Sequence, residues 1–138
     1  MDPNNPIIKL CADGMKAETI GRYDEARLLF IQAWEQSKDD YEACIAAHYV
    51  ARHQKTPEEI LHWNKVSLER ADAVNDERVQ GFYPSLYLNM GKAHEDLGNW
   101  EEAKRNYELA AAKMSNLSEG RYGDVVRDGI KRGLLRVS

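Results

Sequence analysis

Six small or aromatic residues recur in the same order at one fixed offset, and no other feature of the chain restricts its fold as much. Gly14, Gly21, Tyr23, Ala26, Phe30 and Ala33 stand opposite Gly91, Gly98, Trp100, Ala103, Tyr107 and Ala110, every pair 77 residues apart. That offset divides into two units of about 34 residues with roughly nine left over, which predicts a middle copy one unit after the first. The matching positions there hold His48, Lys55, Pro57, Ile60, Asn64 and Ser67. The middle copy has lost the small and aromatic residues, but its helical pattern persists. Glu58-Glu59-Ile60 follows Asp24-Glu25-Ala26 and Glu101-Glu102-Ala103.

Each recurring residue type has a physical reason. Gly14, Gly91, Ala26 and Ala103 are small where two antiparallel helices approach closely, because large side chains would hold the pair apart. Phe30, Tyr107, Tyr23 and Trp100 are expected to fill the space between one helix pair and the next. Gly21 and Gly98 end their helices in a left-handed conformation that other residues resist. His48 replaces the small residue in the middle copy, so a wider gap or a shifted angle, and a soft second pair, are expected there.

Cap signals mark the helix ends independently. Thr56-Pro57-Glu58-Glu59 combines an N-cap, a proline at the first helical position and a capping-box glutamate. Asn99 is expected to cap the helix that begins at Trp100, and Asn5-Pro6 to start the first helix. Helices are predicted over 6–20, 23–37, 40–54, 57–74, 76–97, 100–115 and 121–136. The nine extra residues, 75–83, read as an Asn-Asp turn and an early start to the fifth helix, which Pro84 would kink. The competing reading breaks the chain at Gly81 and starts that helix at Pro84. Val126, Ile130 and Leu134, with Val125 and Leu135 beside them, give the last helix an apolar face that covers the end of a stack. Arg127, Lys131, Arg132 and Arg136 decorate its other side as a solvated face or a basic patch.

The spacing resembles the tetratricopeptide repeat, a helix–turn–helix unit. The third copy carries the resemblance best, with Tyr87, Met90-Gly91 and His94, then Leu97-Gly98-Asn99-Trp100, then Ala103, Tyr107 and Ala110. The first copy keeps Gly14, Gly21-Arg22-Tyr23, Ala26, Phe30 and Ala33, with Asp13 where the family prefers leucine. The resemblance implies an all-α solenoid forming a single domain over 1–138. It has three repeats at about 7–40, 41–74 and 84–117, an insertion at 75–83, and a capping helix at about 121–136. Longer repeats of this kind resemble those that grip peptide segments along an inner groove.

Composition and missing motifs narrow the function. Nineteen basic against 23 acidic side chains leave a net charge of −4, which argues against a nucleic-acid or anionic-membrane partner. No run of apolar residues is long enough to span a membrane. The opening Met1-Asp2-Pro3-Asn4-Asn5-Pro6 does not read as a signal peptide. Cys11 and Cys44, on neighbouring first helices, read as buried thiols in a reducing, cytoplasmic protein, with a redox pair as the alternative. No phosphate-binding loop, cofactor loop or His-Glu-x-x-His pattern is present, so no cofactor or metal is expected and the chain reads as non-enzymatic. His48 and His53 lie roughly 140° apart around a helix, too far apart to share a metal easily. His62 sits on the next helix. A pocket around His48, His53, His62 and Tyr49 is the residual enzyme or enzyme-subunit reading. Trp34 and Trp63 read as packing between repeats.

The resemblance places a partner-binding surface on the first helix of each pair. At helical spacing that face collects Ile8, Cys11 and Met15, then Ile45, Tyr49 and Arg52, then Ser85, Leu88, Asn89 and Lys92. It reads as an apolar trough with two cations and an aromatic, suited to a partner's amphipathic helix or extended acidic peptide. Tyr49 is expected to face the groove, so Tyr49→Ala should leave stability nearly unchanged. Some relatives clamp a chaperone's C-terminal carboxylate, but the matching places here hold Cys11, Met15, Ala46, Ser85 and Asn89, and only the asparagine fits. The function expected is a protein-interaction module, an adaptor or scaffold. The alternative is a self-associating homodimer that meets through Ile7, Ile8 and Cys11 and the loosened second repeat.

Overall fold

The structure, a computed structural model, describes residues 2–138. Its helices are α1 (Pro6–Thr19), α2 (Tyr23–Gln36), α3 (Asp40–Ala51), α4 (Pro57–Val74), α5 (Glu77–Gln80), α6 (Tyr83–Asp96), α7 (Trp100–Ala112) and α8 (Arg121–Val137). A 3-10 turn, Met114–Asn116, precedes α8, and the described residues contain no strand. The chain is all-α.

Local chemistry sets most of the helix starts. Asn5 accepts hydrogen bonds from the backbone N–H groups of Ile7 (2.8 Å) and Ile8 (3.2 Å), and Asp39 accepts from Glu42 N (2.8 Å). The Thr56 hydroxyl accepts from Glu59 N at 3.2 Å and donates to the Glu59 carboxylate at 2.9 Å, which closes the expected box around Pro57. Asn99 departs from expectation. It stands at the cap position, but its side chain makes no cap bond; its amide lies 3.4 Å from His94 Nδ1 instead.

The long helix expected over 76–97 does not form. Asn75 ends α4 at a left-handed φ of +48°, and Asp76 caps the four-residue α5. The chain then turns at Gly81-Phe82, and α6 begins at Tyr83 with Pro84 in its first turn. Pro84 therefore opens a helix rather than kinking one, at a position where its missing N–H has no intrahelical acceptor to lose. The short α5 braces the start of α3. The Arg78 guanidinium lies 4.7 Å over the Tyr41 ring, and Phe82 stacks on Tyr41 at 6.3 Å.

Three antiparallel hairpins, α1/α2, α3/α4 and α6/α7, stack in order, and α8 packs on α7 and α6. The recurring glycines make contact with rings. A Cβ on Gly14 would lie 2.4 Å from Phe30 Cε1, so the fully buried Phe30 can sit there only because Gly14 has no side chain. Tyr107 is held from two sides, since a Cβ on Gly91 would come within 2.7 Å of its ring and one on Gly133 within 2.5 Å. The Tyr107 hydroxyl donates to Glu95 Oε1 (2.7 Å), and Arg136 Nε donates to Glu95 Oε2 (2.7 Å). That network ties α8 to the third hairpin. It also draws Arg136 out of the expected basic patch, as Asp128 does Arg132, while Arg127 donates to the carbonyls of Leu117 and Ser118.

Three expectations about packing are corrected. Tyr23 (61% exposed) and Trp100 (54%) do not fill the space between hairpins; each opens a second helix and points to solvent. Val125 and Leu135 are exposed, and the buried stripe of α8 is Val126 and Ile130 with Gly123 and Gly133. The middle hairpin is not loose. Ala43, Ala46, Ala47 and Ala51 on α3, with Ser67 and Ala71 on α4, are all buried and let the two helices pack as closely as the outer pairs do.

Candidate functional site

The side of the stack formed by the first helices carries a cavity of about 410 Å³. One wall is α3, through Cys44, Ile45, His48, Tyr49 and Arg52. The facing wall is Gly81, Phe82, Ser85 and Leu86 at the start of α6, with Ser67 of α4 behind and Met15 of α1 at one end. Tyr122, in the first turn of α8, borders the other end, and its hydroxyl is hydrogen-bonded to Ser85 Oγ. The cavity exists because α3 and α6 hardly touch, whereas α1 and α3 do.

Its chemistry is mostly apolar and close to neutral. Arg52 is paired with Glu18 at 3.2 Å, and its guanidinium lies 5.5 Å over the Tyr49 ring. Glu18 also meets His53 Nε2 at 2.7 Å. Burial, helped by the nearby Arg52 charge, holds the His48 pKa down at about 4, so its imidazole is neutral at physiological pH. His48 Nδ1 is buried without a hydrogen-bond partner among the described residues. Burial also pushes the Cys44 thiol up to about 11 and the Cys11 thiol to about 12, which keeps both protonated and unreactive. The two cysteines belong to separate apolar clusters, Cys11 with Ile7 and Phe30, Cys44 with Ala71 and Leu86. Among the described residues, no three His, Cys, Asp or Glu side chains converge as metal ligands would. His62 is exposed on α4 and edge-on to Trp63, which itself meets Trp34 at 5.2 Å.

The residues expected to face a partner divide into two groups. Met15, Ile45, Tyr49, Arg52 and Ser85 are gathered around the cavity. Ile8, Cys11, Leu88, Asn89 and Lys92 are not part of it. Cys11 is buried in the core between α1, α2 and α3, and Ile8 packs against the same cluster. Leu88 is covered by α8, where a Cβ on Gly129 would lie 3.0 Å from Leu88 Cδ2. Lys92 is paired with Asp96 at 2.6 Å, so neither expected cation is unpaired. Tyr49 stacks on Phe30 at 5.1 Å, which makes it part of the first hairpin's core as well as a cavity wall. The contact surface expected for a homodimer is largely gone, because Ile7 and Cys11 are buried.

The sequence reading missed Cys44, Ser67, Phe82, Leu86 and Tyr122 as cavity residues. A signal for part of this was present in the middle copy, where the larger residue stands on the first helix and a shorter one, Asn64, on the second.

No protein-family model matches the chain, and no curated protein does. Among solved structures, the crystal structure of the Sgt2 TPR domain from Aspergillus fumigatus is similar. The superposition has a TM-score of 0.60 at 21% identity and covers 98% of this chain and 78% of that one. At that identity the likeness is one of fold.

Proposed function

We propose that this chain, a stack of helical hairpins with a tetratricopeptide-like fold, is a non-enzymatic protein-interaction module that holds a peptide or helix of a partner on its first-helix side. The observation that carries the reading is the cavity of about 410 Å³ opening there, walled by side chains from α1, α3, α6 and α8. Rigid helices set its walls, and its size is in the range of ordinary ligand pockets. The reactive groups that could argue for chemistry are silent, since the thiols are buried and protonated and the histidines are dispersed. No helix among the described residues is long and apolar enough to cross a membrane.

Selection of a random peptide library on the full chain tests this. Peptides that lose affinity at least tenfold on Met15→Arg, at the cavity's edge, support the reading. Peptides that bind both proteins equally sink it. A second reading, self-association through α8, draws on Val125 (64% exposed) and Leu135 (77%). Light scattering that shows one mass across a wide concentration range rejects it.

A further inference from the structure

This inference rests on the groove reading above and names what the cavity takes. In the outer hairpins the first helix gives way and the second supplies a ring, as Gly14 does for Phe30 and Gly91 for Tyr107. The middle hairpin inverts this, with the ring of His48 on α3 and only Asn64 at the matching place on α4. Two consequences follow. α4 contributes only the small Ser67 to the wall of the cavity between α3 and α6. In addition, His48 Nδ1 and Asn64 Oδ1 are, among the described residues, the side-chain atoms buried with no hydrogen-bond partner. Both belong to the inverted pair. Leaving such an atom unpaired costs about 1–3 kcal/mol, and of the two residues only His48 lines the cavity, so it is the His48 wall that is incomplete in the chain on its own.

The cavity's character limits what can complete it. Ile45, Tyr49, Phe82 and Leu86 present apolar and aromatic surface, and Met15 adds a thioether suited to ring contact. Arg52, the cation on the wall, is already satisfied by Glu18. A charged side chain would lose its hydration there without gaining an opposite charge. A phenyl ring would fill the volume but leave the imidazole unpaired. We infer that the cavity between α3 and α6 seats one uncharged aromatic side chain of a partner peptide that carries a hydrogen-bond donor, a tyrosine or a tryptophan, with its O–H or N–H donating to His48. The neutral state of His48 suits this, because an imidazole without its second proton keeps one nitrogen as an acceptor.

The test uses the isotope-labelled full chain and two side-chain analogues, p-cresol and toluene, titrated by NMR. The expected result is shifts in the amides of Ile45, His48, Tyr49, Ser85 and Leu86, with p-cresol binding roughly tenfold tighter than toluene, as one added hydrogen bond would give. On His48→Phe the preference should fall below twofold. Equal binding of the two probes to the wild type, shifts clustered elsewhere, or no binding by either overturns the inference, and that comparison needs no variant to fold. The selected peptides separate the two levels of argument. If they depend on Met15 but contain no tyrosine or tryptophan, this inference fails and the groove reading stands. If they ignore Met15→Arg, both fail.

Discussion

The outer hairpins and the middle one are built to the same plan with the ring on opposite helices. Phe30 and Tyr107 project from second helices into space left by glycines on first helices, and each is fully buried. His48 projects from a first helix and lines an open cavity instead. Close packing does not depend on which arrangement is used, because alanines on α3 bring the middle pair equally near. The position of the ring goes with something else: the space beside the outer rings is filled from within, whereas His48 borders an open cavity.

The sharpest way to break this comparison is to fill a glycine of an outer hairpin and the matching place of the middle one. Gly91→Leu should destabilise by about 3 kcal/mol or more, since the new side chain must displace Tyr107, which Gly133 blocks from behind. His48→Leu should change stability by less than about 1.5 kcal/mol. Equal urea midpoints for the two variants would erase the distinction. Next in size is Tyr49→Ala. Its stacking on Phe30 predicts a loss of about 2 kcal/mol in thermal or urea melts, against the near-neutral outcome expected of a groove residue.

A pH profile sharpens the comparison from the other side. The His48 pKa lies near 4 in the fold against an ordinary value of 6.5, so between those limits the unfolded chain binds a proton that the folded chain refuses. Stability should therefore fall as pH drops from about 6.5 to 4 and level off below, by about 3 kcal/mol in total for this group. Burial lowers the His94 pKa in the same sense, so the His48 share is read from the flattening of the profile in His48→Phe. The smallest effect belongs to the clasp on Tyr107. Arg136→Ala should cost about 1 kcal/mol, because the arginine is half exposed. Arg136 holds the Glu95 carboxyl below its usual range, so the clasp's contribution is present at neutral pH and lost as acid protonates Glu95. An Arg136→Ala melt that matched the wild type at pH 7 would remove the clasp from the account.

The fold was largely legible because glycine-ring pairs state a packing geometry directly. Gly14 with Phe30 and Gly91 with Tyr107 each specify two helices and the distance between them. Residues 75–83 were harder, since a proline near a helix start and a proline kinking a helix look alike. The left-handed Asn75 and the Asp76 cap decide the matter, and both depend on where the neighbouring helices end. The site was legible in part. Helical spacing finds the face of a helix but not what stands opposite it. It therefore placed Cys11 and Leu88 in a groove when the α1/α2 core and α8 cover them. It also counted Arg52 and Lys92 as available, because Glu18 and Asp96 become their partners only once the chain is folded.

The alanine-rich α3 has a further consequence, one of timing. Seven of its twelve residues are buried, and α1, α2 and α4 all pack on it. Its amide hydrogens can reach solvent deuterium only when the stack comes apart around them, so they should be among the slowest in the chain to exchange. The amides of the four-residue α5 beside it should exchange early. The cavity wall would then be a long-lived surface, presented unchanged through many openings of the segment next to it.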